Sequence, residues 1–409
     1  MTILFNLLLV QYLCNFVQPN QPPTMWTSIC LFNDSTIREK LRPITDHRNI
    51  WDLLIGTSTI KEKWQGHCQT ELIFHHDTSA YPWPKADLYL LGSALPSALL
   101  IQELSELQAE NGLFAQNQLI AFKSNAPKLD TQKLSRREIN SEKTYLTELE
   151  ESLQWNSFFL RNEIQEMNLP QRDFSQSGTQ ILHPENCRIE SNTEIKGSIL
   201  DASSGPIYIG KNVQINIGTL IQGPACLLEG VSTNIGAKIR PNCTIGQGCK
   251  IGGEINQSIF YPFSNKSHDG YIGSSIIGSF SNLGALSSCS NLKNDLKSVE
   301  IFDYTTKKFR ITSEKNLGVF IGDYVTTGIM TKFNTGSSIG SHCNLSSKGF
   351  LPKHVPSFTW GEFPQLTIYR FDKALKVAKD WINLKGQNIP ENLSQRMEEI
   401  WKEMSTFRT

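Results

Sequence analysis

Among the side chains of this 409-residue sequence whose types can do chemistry are His268, a proton acceptor, and Tyr271, Asn282 and Asn291, which can hold a ligand by hydrogen bonds. An imidazole with an unperturbed pKa near 6.5 accepts a proton at neutral pH, so it can serve as a general base. The tyrosine and the two asparagines follow the histidine at three, fourteen and twenty-three residues. Read singly, each has a plainer explanation. A lone histidine sits on many surfaces, a tyrosine packs at many strand edges, and asparagines tolerate left-handed corners and ladder with one another. Read together, they fall in the interval 253–318 that interrupts a surrounding repeat, His268 and Asn291 in its two loop-like stretches 256–268 and 287–316, and excursions from a rigid scaffold are where function concentrates.

That repeat must position them. From Ile209 every sixth residue is Ile209, Ile215, Ile221, Leu227, Thr233, Ile239, Ile245 and Ile251, seven of the eight being Ile or Leu. Four residues after each stand Val213, Thr219, Ala225, Val231, Ala237, Cys243, Cys249 and Ile255, nearly all small. A second block keeps the step through Ile321, Thr327, Phe333, Ile339, Leu345 and Leu351. Neither the 3.6-residue helix nor two-residue strand alternation gives a period of six. A chain coiled as a triangular prism does, with three short strands in each turn of about eighteen residues and a continuous aliphatic column inside. The expectation is a parallel β-helix in which 256–268 and 287–316 leave the prism as loops, while Ile272, Ile277 and Leu283 keep coil character.

Upstream, residues 25–165 read as α/β. Trp26–Phe32 and Asp87–Leu91 are expected strands, and Ser97–Glu110 an expected helix capped by Ser97 and stopped before Gly112. Leu113–Ala115 and Leu119–Phe122 flank Gln116-Asn117 as a hairpin, and Ser124–Lys143 reads as a polar linker. Downstream, Phe371, Leu375, Ala378 and Trp381/Ile382 share one helical face; Leu393, Met397, Ile400/Trp401 and Met404 share another. These two helices are expected to cap the open end of the prism. The expected divisions are 1–24, 25–165, 166–365 and 366–409.

Lys and Arg total 39 and so do Asp and Glu, a balance that offers no basic face to nucleic acid or to an anionic membrane. Nine cysteines, none in a C-x-x-C pair, fit a reducing cytoplasm better than a disulfide framework. Ile3–Val17 is apolar like a signal-peptide core, yet no Lys or Arg precedes it and no small-residue cleavage site follows it. Residues 1–24 are therefore read as an overlong start or loose leader. His75-His76-Asp77 has only a superficial likeness to a metal cluster, and no metal site is expected.

The hexapeptide repeat over roughly 185–360 resembles the left-handed β-helix acyltransferases. Within it, Asn265-Lys266-Ser267-His268-Asp269-Gly270-Tyr271-Ile272-Gly273, Asn282-Leu283-Gly284-Ala285 and Ser290-Asn291-Leu292-Lys293-Asn294 resemble the acetyltransferase half of the bifunctional UDP-N-acetylglucosamine pyrophosphorylase/glucosamine-1-phosphate acetyltransferases. Upstream, Leu31-Phe32-Asn33-Asp34, Arg42-Pro43-Ile44-Thr45, Ile55-Gly56 and Thr59-Ile60-Lys61-Glu62-Lys63-Trp64 resemble the sugar nucleotidyltransferase-like domain of a divergent, bacterial two-domain form. Gly252-Gly253-Glu254, Asn334-Thr335-Gly336 and Phe358-Thr359-Trp360-Gly361 extend the likeness over most of the chain after Met25. The resemblance implies a nucleotidyltransferase-like α/β domain followed by the left-handed β-helix and terminal helices. It implies His268 as base, the Ala285 amide as oxyanion donor, and Tyr271, Asn282, Asn291 and Lys297 around the substrate. It also implies acetyl-CoA as donor, a sugar phosphate and a nucleotide as small-molecule partners, UDP-N-acetylglucosamine synthesis as the setting, and a homotrimer with the site between subunits.

Two departures qualify it. The family's Lys just after the glutamate that matches Glu254 is Asn256 here, so the phosphate lacks that cation unless Lys238, Arg240 or Lys266 replaces it. The nucleotidyltransferase domain lacks the Gly-rich loop that holds a triphosphate. It also has Arg48-Asn49, Leu54 and Leu91-Gly92-Ser93 where the family carries Arg-Pro, a second basic residue and Asn-Gly-Arg. Arg38, Arg42, Arg48 and Lys61 remain as phosphate contacts, and any Mg²⁺ serving nucleotidyl transfer has only Asp34 and Asp87 as candidate carboxylates. The rival readings are an acyltransferase with a degenerate N-terminal domain and a non-catalytic trimeric scaffold.

Overall fold

The computed structural model describes residues 26–68, 70–76, 82–124, 133–140, 143–170, 172 and 174–404. The leader, Met25 and Asp77 fall outside these. Within them the chain divides into two compact units, 26–38 with 49–53 and 58–147, and 39–48 with 54–57 and 148–404.

In the first unit six strands build one mixed sheet. Ser28–Phe32 lies between Glu71–His75 and Leu88–Leu91, parallel to both. Gln118–Phe122 pairs antiparallel with Leu88–Leu91 and with Asn111–Ala115, and Ser135–Glu138 follows at the edge. The central strands are unbroken apolar runs, as burial on both faces demands, and Leu88, Leu90 and Leu91 are fully buried. The expected hairpin is present, with Gln116 at φ 55° making its turn. The expected helix begins as read, Ser97 accepting from the Leu100 amide at 3.2 Å, but spans only Ala98–Ser105. Its buried stripe is complete by Leu104, and Glu110 at φ 61° turns the chain back into the sheet. Gly112 therefore sits inside a strand, where a Cβ would lie 2.6 Å from the Phe114 ring. The supposed linker supplies the edge strand Ser135–Glu138; its mostly exposed, charged residues carry no apolar signal.

The second unit is dominated by a left-handed parallel β-helix with three walls. The first wall has nine strands, from Cys187–Ile189 to His354–Val355. The second runs from Glu194–Ile195 through Lys250–Ile251 and Asn265–Lys266, and continues through Asn282 to Thr326–Thr327 and Asn344–Ser347. The third runs from Gln180–Leu182 to Tyr271–Gly273, then through Ser288–Cys289 and Lys332–Phe333. The eight repeat positions from Ile209 to Ile251 are at most 1% exposed. Each buried Ile or Leu in the column contributes roughly 1.5–3 kcal/mol.

The interruption differs from expectation. Residues 256–268 do not leave the prism: Ile259–Phe260 pairs with Thr244–Ile245, and Asn265–Lys266 with Lys250–Ile251. Phe260 and Lys266 fill inward slots that isoleucines hold one coil below. The coil is also short, fifteen residues from Ile251 to Lys266 against eighteen from Thr233 to Ile251. For the same reason Ile255 stands in the large-residue column against Ile239, not among the small corner residues. The real excursion is 290–318, which carries the hairpin Glu300–Asp303/Lys308–Ile311.

At one corner Phe263, Phe280, Tyr324, His342 and Phe358, all at φ between 56° and 66°, stack with ring centroids 5.1, 5.2, 4.9 and 4.7 Å apart. The helices Phe371–Leu384 and Leu393–Met404 pack Ala374, Ala378, Ile382, Leu393, Met397 and Ile400 against this ladder. They thus lie along a corner, and the end of the column is instead met by Phe363 and Leu366 of the hairpin Thr359–Phe363/Gln365–Ile368. The helix Glu151–Glu166, which the sequence reading did not single out, lays Leu160 and Ile164 against Cys226 of the first wall. No described helix is long and apolar enough to cross a membrane.

Candidate functional site

His268 is exposed at the corner between the second and third walls, one coil above Gly252-Gly253. That lower corner is two residues tighter than the repeat allows, which leaves a notch in the prism edge. A Cβ on Gly252 would lie 2.1 Å from the Ser267 carbonyl, and one on Gly253, at φ 68°, 2.6 Å from the Gly270 carbonyl. The segment 267–270 is held on several sides. The Asn234 carboxamide donates to the Ser267 carbonyl, and the Leu286 amide to the Asp269 carbonyl at 2.8 Å. The Glu254 amide donates to the Gly270 carbonyl at 2.9 Å. The Lys266 ammonium donates from inside the prism to the His268 carbonyl and, at 3.0 Å, to that of Asp269.

Tyr271 is half-buried on the third wall in a row with Glu254 and Lys238. Burial pushes its phenol up, partly offset by a hydrogen bond with Asn256, the residue that replaces the family lysine. Asn291 stands at the far corner of the same wall, its amide 3.3 Å from the Ser274 hydroxyl. Asn282 lies round the other corner on the second wall, where Asn265 donates to it at 3.3 Å. One chain therefore sets His268, Tyr271 and Asn291 along one wall and Asn282 on the next. Ala285 is at the His268 corner one coil higher. Its carbonyl accepts from Met330 at 2.7 Å, and its amide takes no hydrogen bond among the described residues. Lys297 is in the excursion, 76% exposed and 3.4 Å from Asp295.

Of the three cations considered for the phosphate, Lys266 is removed by its complete burial. Lys238 and Arg240 are exposed on the third wall, with Arg240 3.2 Å from Glu254. They line a groove whose other end is apolar, with Leu182, Ile199 and Leu220.

The candidate phosphate contacts of the N-terminal half are divided between the units, Arg42 and Arg48 in the second and Arg38 and Lys61 in the first. Arg42 is 7% exposed and bound to Asp46 at 2.8 Å and to Glu39 and Glu403 at 3.1 Å. Arg48 binds Asp323 at 2.8 Å and lies 4.2 Å over the Tyr261 ring. Both guanidinium groups, within the second unit, are paired with carboxylates. Arg38 and Lys61 lie in the first unit, Lys61 at 2.7 Å from Asp52. Asp34 accepts from the Ile37 amide at 2.9 Å and from Gln118 at 3.3 Å. Asp87 accepts from the Thr27 amide and hydroxyl, which hold its carboxyl below the usual range. Neither is poised for Mg²⁺, and no group of three His, Cys, Asp or Glu able to hold a metal ion occurs among the described residues.

An α/β unit followed by a hexapeptide-repeat prism defines the architectural class, and comparison narrows it. The sugar nucleotidyl transferase family model matches residues 29–169. The chain is 32% identical to the bifunctional protein GlmU of Methanocaldococcus jannaschii over 30% of each chain. It is 30% identical to a bifunctional sugar-1-phosphate nucleotidylyltransferase/acetyltransferase of Sulfurisphaera tokodaii, over 43% of this chain and 41% of that one. The uncharacterized acetyltransferase YaiX of Escherichia coli is 30% identical over 42% of this chain and 75% of its own length. The chain belongs to this GlmU-like family of sugar nucleotidyltransferase/acetyltransferase proteins. It spans between 30% and 41% of the length of the first two of these relatives.

Proposed function

We propose that the chain transfers an acetyl group from acetyl-CoA to the amine of an amino-sugar phosphate at the His268 corner. The observation that carries the reading is the exposed imidazole above the Gly252-Gly253 notch, with a fixed backbone beneath it. In the step, the amine nitrogen attacks the thioester carbonyl carbon and a C–N bond forms. His268 takes the amine proton, and the Ala285 amide donates to the oxyanion. The intermediate collapses with loss of the coenzyme A thiolate, to which the imidazolium returns the proton. Tyr271 and Asn291 orient the sugar along the third wall, and Arg240 and Lys238 supply the phosphate cation that Asn256 does not.

The working form is a trimer in which a neighbouring copy closes the corner and brings its own Asn282 wall or excursion, with Lys297, to it. Supporting this, Ile217, Ile235, Leu286, Ile329 and Met330 are each more than half exposed in a row along the same corner as His268. Buried thiols such as Cys243 and Cys289, pushed up to about 12 by burial, serve as inert fillers and fit a reducing cytoplasm. Nucleotidyl transfer to the sugar-1-phosphate is the second activity that the family suggests. With Arg42 and Arg48 engaged elsewhere and Asp34 and Asp87 serving backbone amides, the residues do not fit Mg²⁺.

The test is acetyl-CoA-dependent loss of free amine from glucosamine-1-phosphate. His268→Ala should lower turnover about 10²–10⁴-fold; equal turnover in both proteins overturns the assignment. Exchange of label between UTP and pyrophosphate, run beside it, decides whether the first unit is active.

A further inference from the structure

Lys266 occupies a position where the prism otherwise uses apolar or neutral side chains. Its partner one coil below is Ile251, itself above Thr233, and it is completely buried. A cation inside such a column is costly unless its N–H groups find acceptors. Here they find the carbonyls of His268 and Asp269. From two coils below, Asn234 spans the notch to bind the Ser267 carbonyl. Three consecutive carbonyls of the segment that carries the exposed imidazole are thereby fixed. An apolar residue at 266 would leave two of them without this donor beside a dry interior.

We propose that Lys266 is a positioning residue: by gripping the backbone of His268 and Asp269 from within the prism, it sets the direction in which the imidazole leaves the corner. Its kinetic consequence rests on the acyl-transfer reading; its structural consequence does not. Burial pulls the ammonium down to about 8, while Asp269 acts to raise it, so the group still carries charge at neutral pH.

The test uses the full-length chain with Lys266→Met and Lys266→Arg. Lys266→Met should lower kcat about 10²-fold, as a misplacement near 1 Å does, with KM little changed. Its Tm should change little, because relief of the buried charge and loss of the donor to two carbonyls act in opposite directions. Amide hydrogen exchange should quicken at 267–270 and nowhere else, and Lys266→Arg should recover part of kcat. Wild-type kcat and exchange in Lys266→Met overturn the proposal. A lower Tm with faster exchange throughout the prism also overturns it, assigning Lys266 to stability alone. If the wild-type chain transfers no acetyl group, the acyl-transfer reading fails, and exchange at 267–270 alone decides whether Lys266 holds the segment.

Discussion

His47 and His342 meet with their Nε2 atoms 2.6 Å apart in the second unit, so one ring donates and the other accepts. His342 is 2% exposed and stacked between Tyr324 and Phe358, and burial lowers both imidazoles, that of His342 well below its ordinary value. Asp323 and Asp46 act to raise His47, and Arg48 to lower it. An unfolded chain takes up protons on both rings as pH falls below about 6.5, whereas the folded pair resists them. Stability present at neutral pH is therefore lost as pH falls from that value toward the depressed folded pKa values. Thermal melts between pH 7 and pH 5 should show Tm falling with acid, and His47→Gln, with one ring fewer to protonate, should show a shallower slope. An unchanged slope would mean that the pair does not govern it.

Among the elements, the coils of the prism were the most legible in the sequence. Ile209 to Ile251 repeat without a gap because every coil there has the same length and the same inward slots. Legibility failed where a coil was shortened: Gly252-Gly253 removes residues from one corner, Phe260 and Lys266 take inward slots, and the six-residue count loses phase although the walls continue. In the sequence Lys266 reads only as a candidate phosphate cation, since nothing local marks a lysine as inward-facing. The role of Asn234 depends on a contact thirty-three residues away and leaves no local signal. His268 and its spacing were legible, but not that Asn282 falls on a different wall, which depends on where the corners lie. If the column is the source of stability, Ile245→Ala should cost about 2–5 kcal/mol in urea unfolding. An outward residue of the same coils, as in Lys250→Ala, should stay within about 0.5 kcal/mol.

For the whole molecule, the exposed row along the His268 corner is the feature that a single chain leaves unexplained. Ile235 is 77% exposed and Ile329 71%, and both project from turns, so polar replacements there change little inside one chain. Sedimentation equilibrium should report a trimer for the wild-type protein and dissociation for Ile235→Asp/Ile329→Asp, with acetyl transfer lost in step. A monomeric wild type that still turns over would place the complete site within one copy.

The excursion at 290–318 leaves the stack and returns to it without disturbing its register. Ser288–Cys289 lies directly under Lys332–Phe333 although forty-four residues separate them. Severing the chain at the exposed turn Thr305–Lys307 would therefore leave two polypeptides that meet at one rung of the stack, Ile276–Ile277 against Phe320–Ile321, Asn282 against Thr326 and Ser288–Cys289 against Lys332–Phe333. Such a nicked molecule is joined like two columns of coins set end to end, with the cut hairpin as the remaining tie between its halves.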